Sequence, residues 1–337
     1  MLVTRTARIV RALLAVVLAA LPASAFAEAS EIKVAQQYGI GYLPLMIMEE
    51  QKLIEKYAKA NGVDVSVSWA KFAGGNVMND ALLSNSMQFA SGGVGPFVTL
   101  WSRTRGGLDV KAVAAINSMP LLLNTRNPGV KTIRDFTDKD KIALPAAKIS
   151  IQAITLQMAA EKAFGEGQQS RLDPLTVSLS HPDAQAALLS GQSEITAHFS
   201  SPPFQYQQLK NPAIHTVLNS YDVLGGPATF NVVWTTSKFR TENPKLYDAF
   251  VKALDEATAT INQDHRWAAE AYLRISRDKD TVQQIQAMLD DPAIVYTTTP
   301  QNVMKYVDFM LKTGAIKTRP ESWKDLFFPN VHNLPGS

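Results

Sequence analysis

Apolar positions along this chain switch repeatedly between two periods, and that switching predicts its architecture. Short apolar runs read as strands at Glu31–Gln37, Val63–Trp69, Met87–Ala90 and Val110–Ile116. Between them lie stretches with helical spacing. One starts at Pro44 and carries Leu45, Met48, Leu53, Ile54 and Tyr57 to a stop at Asn61-Gly62, and another covers Asn76–Ser84. The pattern restarts after Ser118-Met119-Pro120. Strands are expected at Lys141–Leu144, Leu175–Leu179, Glu194–Phe199 and Ile214–Asn219, with helices at Ile149–Phe164 and Pro182–Leu189. Beyond Gly225-Gly226-Pro227 comes a strand at Phe230–Thr235. The remainder reads as helical: Pro244–Asn262, Arg266–Ile275, Thr281–Leu289 and Pro300–Lys312. Strands alternating with helices of these lengths imply an α/β fold with parallel, doubly wound sheets.

One segment is written twice. Ala81–Phe97 reads ALLSNSMQFASGGVGPF and Ala187–Phe204 reads ALLSGQSEITAHFSSPPF. In each, a helical run ends at Asn85 or Gly191, residues suited to the left-handed position that closes a helix. A short strand and a polar loop then lead to proline. The repetition predicts two similar lobes with a cleft between them. The division expected is residues 28–118 plus 226–337 for the first lobe and 119–225 for the second, with a two-crossing hinge at Ser118–Leu123 and Tyr221–Pro227.

Residues 1–27 read as a signal peptide. Arg5, Arg8 and Arg11 form a basic front, Ala12–Leu21 an apolar middle, and Ala25-Phe26-Ala27 a small-x-small cleavage site. Removal of the three arginines would leave 30 basic residues against 30 acidic ones, a formally neutral chain without a basic stripe for nucleic acid. The chain has no cysteine. That excludes disulfides, thiolate metal sites and cysteine nucleophiles, and with the signal it predicts a periplasmic protein held together by core packing.

Catalytic motifs are missing. His181, His198, His215, His265 and His332 are scattered, and there is no HExxH, phosphate loop or GxSxG elbow. Gly39-Ile40-Gly41 and Gly93-Val94-Gly95 lack the third glycine of a dinucleotide fingerprint, and Glu49-Glu50 and Asp290-Asp291 read as solvated or capping groups. Neither a cofactor, a metal nor an enzymatic activity is expected.

Binding chemistry is better represented. In open α/β sheets ligands lie at loops that follow strands and open helices, where unpaired N–H groups attract anions. The candidates are Tyr38–Tyr42 before Pro44, Gly74-Gly75 before Asn76, Gly93–Gly95 before Pro96, Lys148–Gln152, and Ser200-Ser201 before Pro202. The glycines read either as close-approach positions or as ordinary turn residues. Tyr38 and Tyr42 could contact a ligand or pack at the rim, Phe72 is the aromatic core residue best placed to face the cleft, and His198 reads equally as a ligand contact or a structural histidine. One wall of the cleft therefore offers backbone, at Gly92-Gly93-Val94-Gly95. The other offers side chains, at His198-Phe199-Ser200-Ser201.

The signal, the strand followed by Tyr38-Gly39 and Pro44, and Phe72-Ala73-Gly74-Gly75 before a helix carry a resemblance, continued by Ala81–Pro96, Ile133-Arg134-Asp135-Phe136 and His181-Pro182-Asp183-Ala184-Gln185-Ala186-Ala187-Leu188. The chain resembles the periplasmic solute-binding proteins of nitrate, sulfonate and taurine ABC importers, which share a fold with thiamine-pyrimidine-precursor binding proteins. The resemblance implies a two-lobed type II periplasmic binding protein, monomeric, that closes on a small oxyanion-bearing solute and delivers it transiently to an inner-membrane permease. Carried over by position, the site would take Tyr38, Gly74, Gly75, Gly93 and Gly95 from one lobe and Ser150, Gln152, His198 and Ser200 from the other. Two departures stand out: Gly191-Gln192-Ser193-Glu194 shifts the acid usual after that glycine, and Ser86-Met87-Gln88 has none. Related pyrimidine synthases use a cysteine-containing motif, which this chain lacks. The alternatives are a carrier for a planar aromatic or pyrimidine compound, held by Tyr38, Tyr42 and Phe72, and an exported hydrolase or lyase.

Overall fold

The computed structural model describes residues 28–337, so the expected export signal lies outside the described residues. Among the described residues, no helix is long and apolar enough to cross a membrane. The chain opens with β1 (Glu31–Gln36), α1 (Leu43–Glu50), α2 (Leu53–Ala60), β2 (Ser66–Lys71), α3 (Gly75–Leu83), β3 (Ala90–Gly93), α4 (Val94–Thr104) and β4 (Val110–Ser118). A second group follows: β5 (Leu122–Thr125), β6 (Ile142–Leu144), α5 (Ile151–Phe164), β7 (Thr176–Ser178), α6 (His181–Ser190), β8 (Ala197–Phe199), α7 (Phe204–Gln208), β9 (His215–Asn219) and α8 (Ser220–Leu224). The chain then returns with β10 (Thr229–Thr236), α9 (Ser237–Glu242), α10 (Pro244–Gln263), α11 (His265–Ser276), α12 (Val282–Leu289), β11 (Val295–Tyr296) and α13 (Val303–Lys312).

These elements form two lobes. In the second lobe the strand order is β7-β6-β8-β5-β9. In the first, β11-β4-β10-β3 form one sheet and β1-β2 a parallel pair, joined to each other by a parallel bridge between Val34 and Phe89. The expected parallel order holds for β1 with β2 and for β6 with β7 and β8. It is broken by β5, antiparallel to β8 and β9, by β10, antiparallel to β3 and β4, and by the two-residue β11, antiparallel to β4. The reason is where the chain crosses. β4 leaves the first lobe at Ser118, from the edge where β3 also ends, and a strand entering a lobe through that edge must run against those that leave by it. Both strands that follow a crossing are therefore reversed.

The two crossings are fastened to each other. Ser118 Oγ lies 2.8 Å from the Tyr221 hydroxyl and donates to the Ala228 carbonyl at 2.7 Å. Leu121 N–H donates to Ser220 Oγ at 2.9 Å, and Ser220 N–H returns to the Leu121 carbonyl at 2.9 Å. Gln205, fully buried, holds Leu122 N–H and the Pro120 carbonyl with its two amide atoms, both at 3.0 Å.

Several local expectations shift. The single helix expected from Pro44 to Ala60 is two, because Lys52 adopts a left-handed conformation (φ 51°) between α1 and α2. α1 is buried from Leu43 to Met48, whereas α2 buries only Leu53, Ile54 and Ala58, so the break lets a core helix continue as an amphipathic surface one. No loop separates Gly93 from Val94: β3 passes straight into α4. The last helix starts at Val303 rather than Pro300, behind a left-handed Asn302 (φ 53°). The twin helix ends are left-handed at both positions, Asn85 with φ 58° and Gly191 with φ 68°.

Phe89 anchors the first lobe. Its ring stacks on Phe250 of α10 (centroids 3.9 Å apart, 7° between planes) and meets Phe239 of α9 edge-on at 5.2 Å, while its backbone bridges to β1. Phe89→Ala should lower the unfolding free energy by about 3–5 kcal/mol, read from urea denaturation followed by tryptophan fluorescence. A loss under about 1 kcal/mol would show that this cluster does not carry the lobe.

Candidate functional site

The parallel strands of both lobes end at the same edge, and the helices that follow them start there. α3 begins at Gly75, α4 at Val94, α5 behind its cap Ser150, and α6 behind its cap Ser180. Both caps use their side chains: Ser150 Oγ accepts from Ala153 N–H at 3.2 Å, and Ser180 Oγ from Asp183 N–H at 3.3 Å. The remaining first-turn N–H groups of a helix have no intrahelical acceptor, and the aligned peptide dipoles add partial positive charge. Four such ends border one small space between the lobes.

The first lobe lines that space with Gln37, Tyr42, Gly75, Gly93, Pro96 and Phe230, and the second with Pro145, Ser150, Ile151, Gln152 and His181. Not one of these side chains is charged. The space is tight, with room for about one water molecule at its centre. Its floor is tied by buried amides. Asn117 and Asn231 both donate through Nδ2 to the Gly41 carbonyl, and Asn231 Oδ1 accepts from the Tyr42 hydroxyl at 3.1 Å. Burial drives the Tyr42 hydroxyl well above the ordinary phenol range, so Tyr42 stays neutral.

The lobes approach each other backbone to backbone. A Cβ at Gly39 would lie 2.7 Å from the Pro202 carbonyl oxygen, one at Gly74 2.8 Å from that of Pro145, and one at Gly95 2.9 Å from that of Ile149. At Gly93 a Cβ would meet Ile151 Cγ2 at 2.6 Å. Side chains at these positions would hold the lobes apart, which gives the glycines a role in inter-lobe fit.

Of the residues singled out from sequence, Tyr42, Gly75, Gly93, Ser150 and Gln152 line the space, while Gly74 and Gly95 lie beside it, against the second lobe. Tyr38 is only half-buried and is not in the lining. Phe72 packs against the core, its N–H donating to the Gln36 carbonyl at 2.9 Å, and is not in the lining either. Ser200 and Ser201 are buried outside it, with Ser200 Oγ 3.4 Å from the Ser201 carbonyl.

His198 sits one layer behind the space, fully buried and with both ring nitrogens occupied. Its Nε2 is 2.9 Å from His181 Nδ1, and its Nδ1 is 2.7 Å from Gln208 Nε2. His181 is the histidine that reaches the lining. Its ring stacks on Phe204, with centroids 5.5 Å apart. Sequence reasoning passed over His181, Gln37, Pro145 and Phe230. The rule applied elsewhere, a polar residue between a strand and a proline-opened helix, also describes Leu179-Ser180-His181-Pro182 and would have found His181.

A model of the NMT1-like family matches residues 26–276. A search of curated protein sequences gave no significant match. Among solved structures, the chain is similar to the alkanesulfonate-binding protein SsuA from Xanthomonas axonopodis pv. citri bound to MOPS, with TM-score 0.66 and 17% identity over 85% of this chain and 92% of that one. It is also similar to the periplasmic nitrate-binding protein NrtA from Synechocystis PCC 6803, with TM-score 0.66 and 15% identity over 88% and 84% of the two chains. A Candida albicans gene product described as having the generic periplasmic binding protein fold gives TM-score 0.67 and 15% identity, over 89% and 96%. At these identities the likeness concerns the fold, which is that of the two-lobed periplasmic binding proteins.

Burial holds the His181 ring neutral, lowering its pKa from 6.5 to about 3, and pushes His198 well below its ordinary value, first through desolvation and then through the neighbouring His181. As pH falls below about 6.5, both imidazoles gain protons in the unfolded chain before they do in the folded one, so stability declines as pH drops. The unfolding free energy should therefore fall between about pH 6.5 and 5, by up to roughly 1.4 kcal/mol per pH unit for each ring. His181→Asn should flatten that slope. A pH-independent stability across this window would contradict the buried neutral pair.

Proposed function

The chain belongs to the NMT1-like family, and from that premise we propose that it is the solute-binding component of an ABC importer, capturing a small oxyanion of the sulfonate, taurine or nitrate class between its lobes. The observation that carries the reading is the convergence of four helix N-termini on a space lined by neutral donors and no acid. Such a site stabilises negative charge through oriented dipoles and N–H groups without burying a cation. The names of the similar structures, an alkanesulfonate-binding and a nitrate-binding protein, support the same ligand class. The absence of Tyr38 and Phe72 from the lining of the space weighs against a planar aromatic ligand held by those rings.

On this reading the protein works in the periplasm as a monomer, without catalysis, and hands its ligand to an inner-membrane permease. The moving bodies are residues 28–118 with 226–337, and 119–225. Each crossing is one short strand-to-strand or helix-to-strand connection, Met119–Leu121 and Gly225–Ala228. Rotation about two such connections lets each sheet move as a unit.

Isothermal titration against ethanesulfonate, taurine and nitrate should give saturable one-to-one binding of at least one of them. Absence of binding to all three would overturn the oxyanion reading. Gly93→Val should disfavour closure, because its first carbon already meets Ile151. The variant is expected to show a larger radius of gyration by small-angle scattering and an affinity lower by at least about tenfold. An unchanged scattering curve and affinity would remove lobe apposition from the mechanism.

A further inference from the structure

The buried polar row behind the cleft runs in one direction. Asn124 of β5 lies between Thr216 of β9 and His198 of β8 in the sheet register. Its Nδ2 is 2.9 Å from the Gln205 carbonyl oxygen, an atom that can only accept, so this end of the Asn124 amide must be the nitrogen. The Thr216 hydroxyl donates to Oδ1 at the other end, at 2.7 Å. The second Nδ2 hydrogen points at the Gln208 side chain 3.1 Å away, which fixes that atom as oxygen and leaves Gln208 Nε2 facing His198 Nδ1 at 2.7 Å.

An amide nitrogen can only donate, so His198 Nδ1 accepts and its proton lies on Nε2. That proton is directed at His181 Nδ1, 2.9 Å away. His181 Nδ1 therefore accepts as well, and the proton of the neutral ring is on Nε2, the atom beside Gln152. The Gln152 side-chain amide is 3.4 Å from it, too long for a firm hydrogen bond, which leaves that N–H open to an acceptor. Asn124, His198 and Gln208 are each fully buried, so no solvent competes with the row.

We propose that Asn124, Gln208 and His198 are positioning residues, a one-way hydrogen-bond relay that locks His181 as an Nε2–H donor toward the cleft and thereby selects ligands presenting an acceptor atom there. The acceptor is an oxyanion oxygen, a clause that rests on the ligand reading above; the tautomer itself does not. A histidine left to choose its tautomer would offer an acceptor lone pair as readily as a donor, and would repel the same oxygen. The relay replaces a positive charge with a fixed dipole, so selectivity survives without a cationic side chain in the lining. The low pKa of both rings is consistent with this arrangement, since neither carries a second proton near neutral pH.

The test is imidazole nitrogen NMR on the full chain labelled with 15N-histidine at pH 7, without ligand. The expected spectrum shows His181 and His198 each in a single neutral form protonated on Nε2. A proton on His181 Nδ1, a doubly protonated ring, or exchange between tautomers would overturn the relay. Gln208→Met keeps side-chain length while removing the donor. It should give His181 a mixed tautomer population and weaken ethanesulfonate or nitrate binding by about tenfold. A wild-type tautomer and unchanged affinity in that variant would equally overturn the relay. If the wild-type rings carry the expected protons and neither anion binds, the relay stands and the oxyanion reading falls.

Discussion

The chain passes between its lobes at the edge where the parallel strands end, and most of what distinguishes this molecule follows from that one constraint. Crossing at that edge reverses β5 and β10, the first strand met on each side. It also turns the starts of α3, α4, α5 and α6 toward a common space. Had the crossings been at the opposite edge, the same sheets would confront each other with helix C-termini, whose partial charge favours cations. The polarity of the site is thus set by topology before any side chain is chosen.

Within that frame the two lobes contribute differently. The first supplies surfaces without side chains, at Gly39, Gly74, Gly93 and Gly95, against which the second lobe fits. The second supplies the side chains of Gln152 and His181, the latter contacted from beneath by a buried polar row. Such a row is stable only when every member is satisfied, because an unpaired buried polar atom costs about 1–3 kcal/mol. Its direction is set by the Gln205 carbonyl oxygen, a main-chain atom with no freedom to exchange roles.

Much of this was legible in the sequence, and the limits have physical causes. The two periods of apolar residues located the strands and helices, and the twin segments marked the paired helix ends at Asn85 and Gly191 because left-handed closure restricts residue choice locally. Reversal of β5 and β10 was not legible, since strand direction depends on partners more than 70 residues away and leaves no local trace. The histidines show the same limit at finer scale. His198 and His181 both stand where a strand meets a helix, and only the pairing of Asn124 with His198 determines that one lies behind the other. Tyr38 and Phe72 looked suited to a cleft by residue type, but nothing in their neighbours encodes which way they face.

The approaches at Gly39, Gly74 and Gly95 are to carbonyl oxygens of the main chain, which no substitution can trim. The width of the space between the lobes is consequently a property of the fold, whereas its chemistry rests on a few replaceable side chains. A lineage built on this scaffold would find it easy to exchange one small ligand for another of like size by altering Gln152 or the row beneath His181. Accommodating a bulkier ligand would require lengthening a connection or setting the lobes further apart. Divergence among such proteins should therefore run through chemical preference first and through size only with insertions.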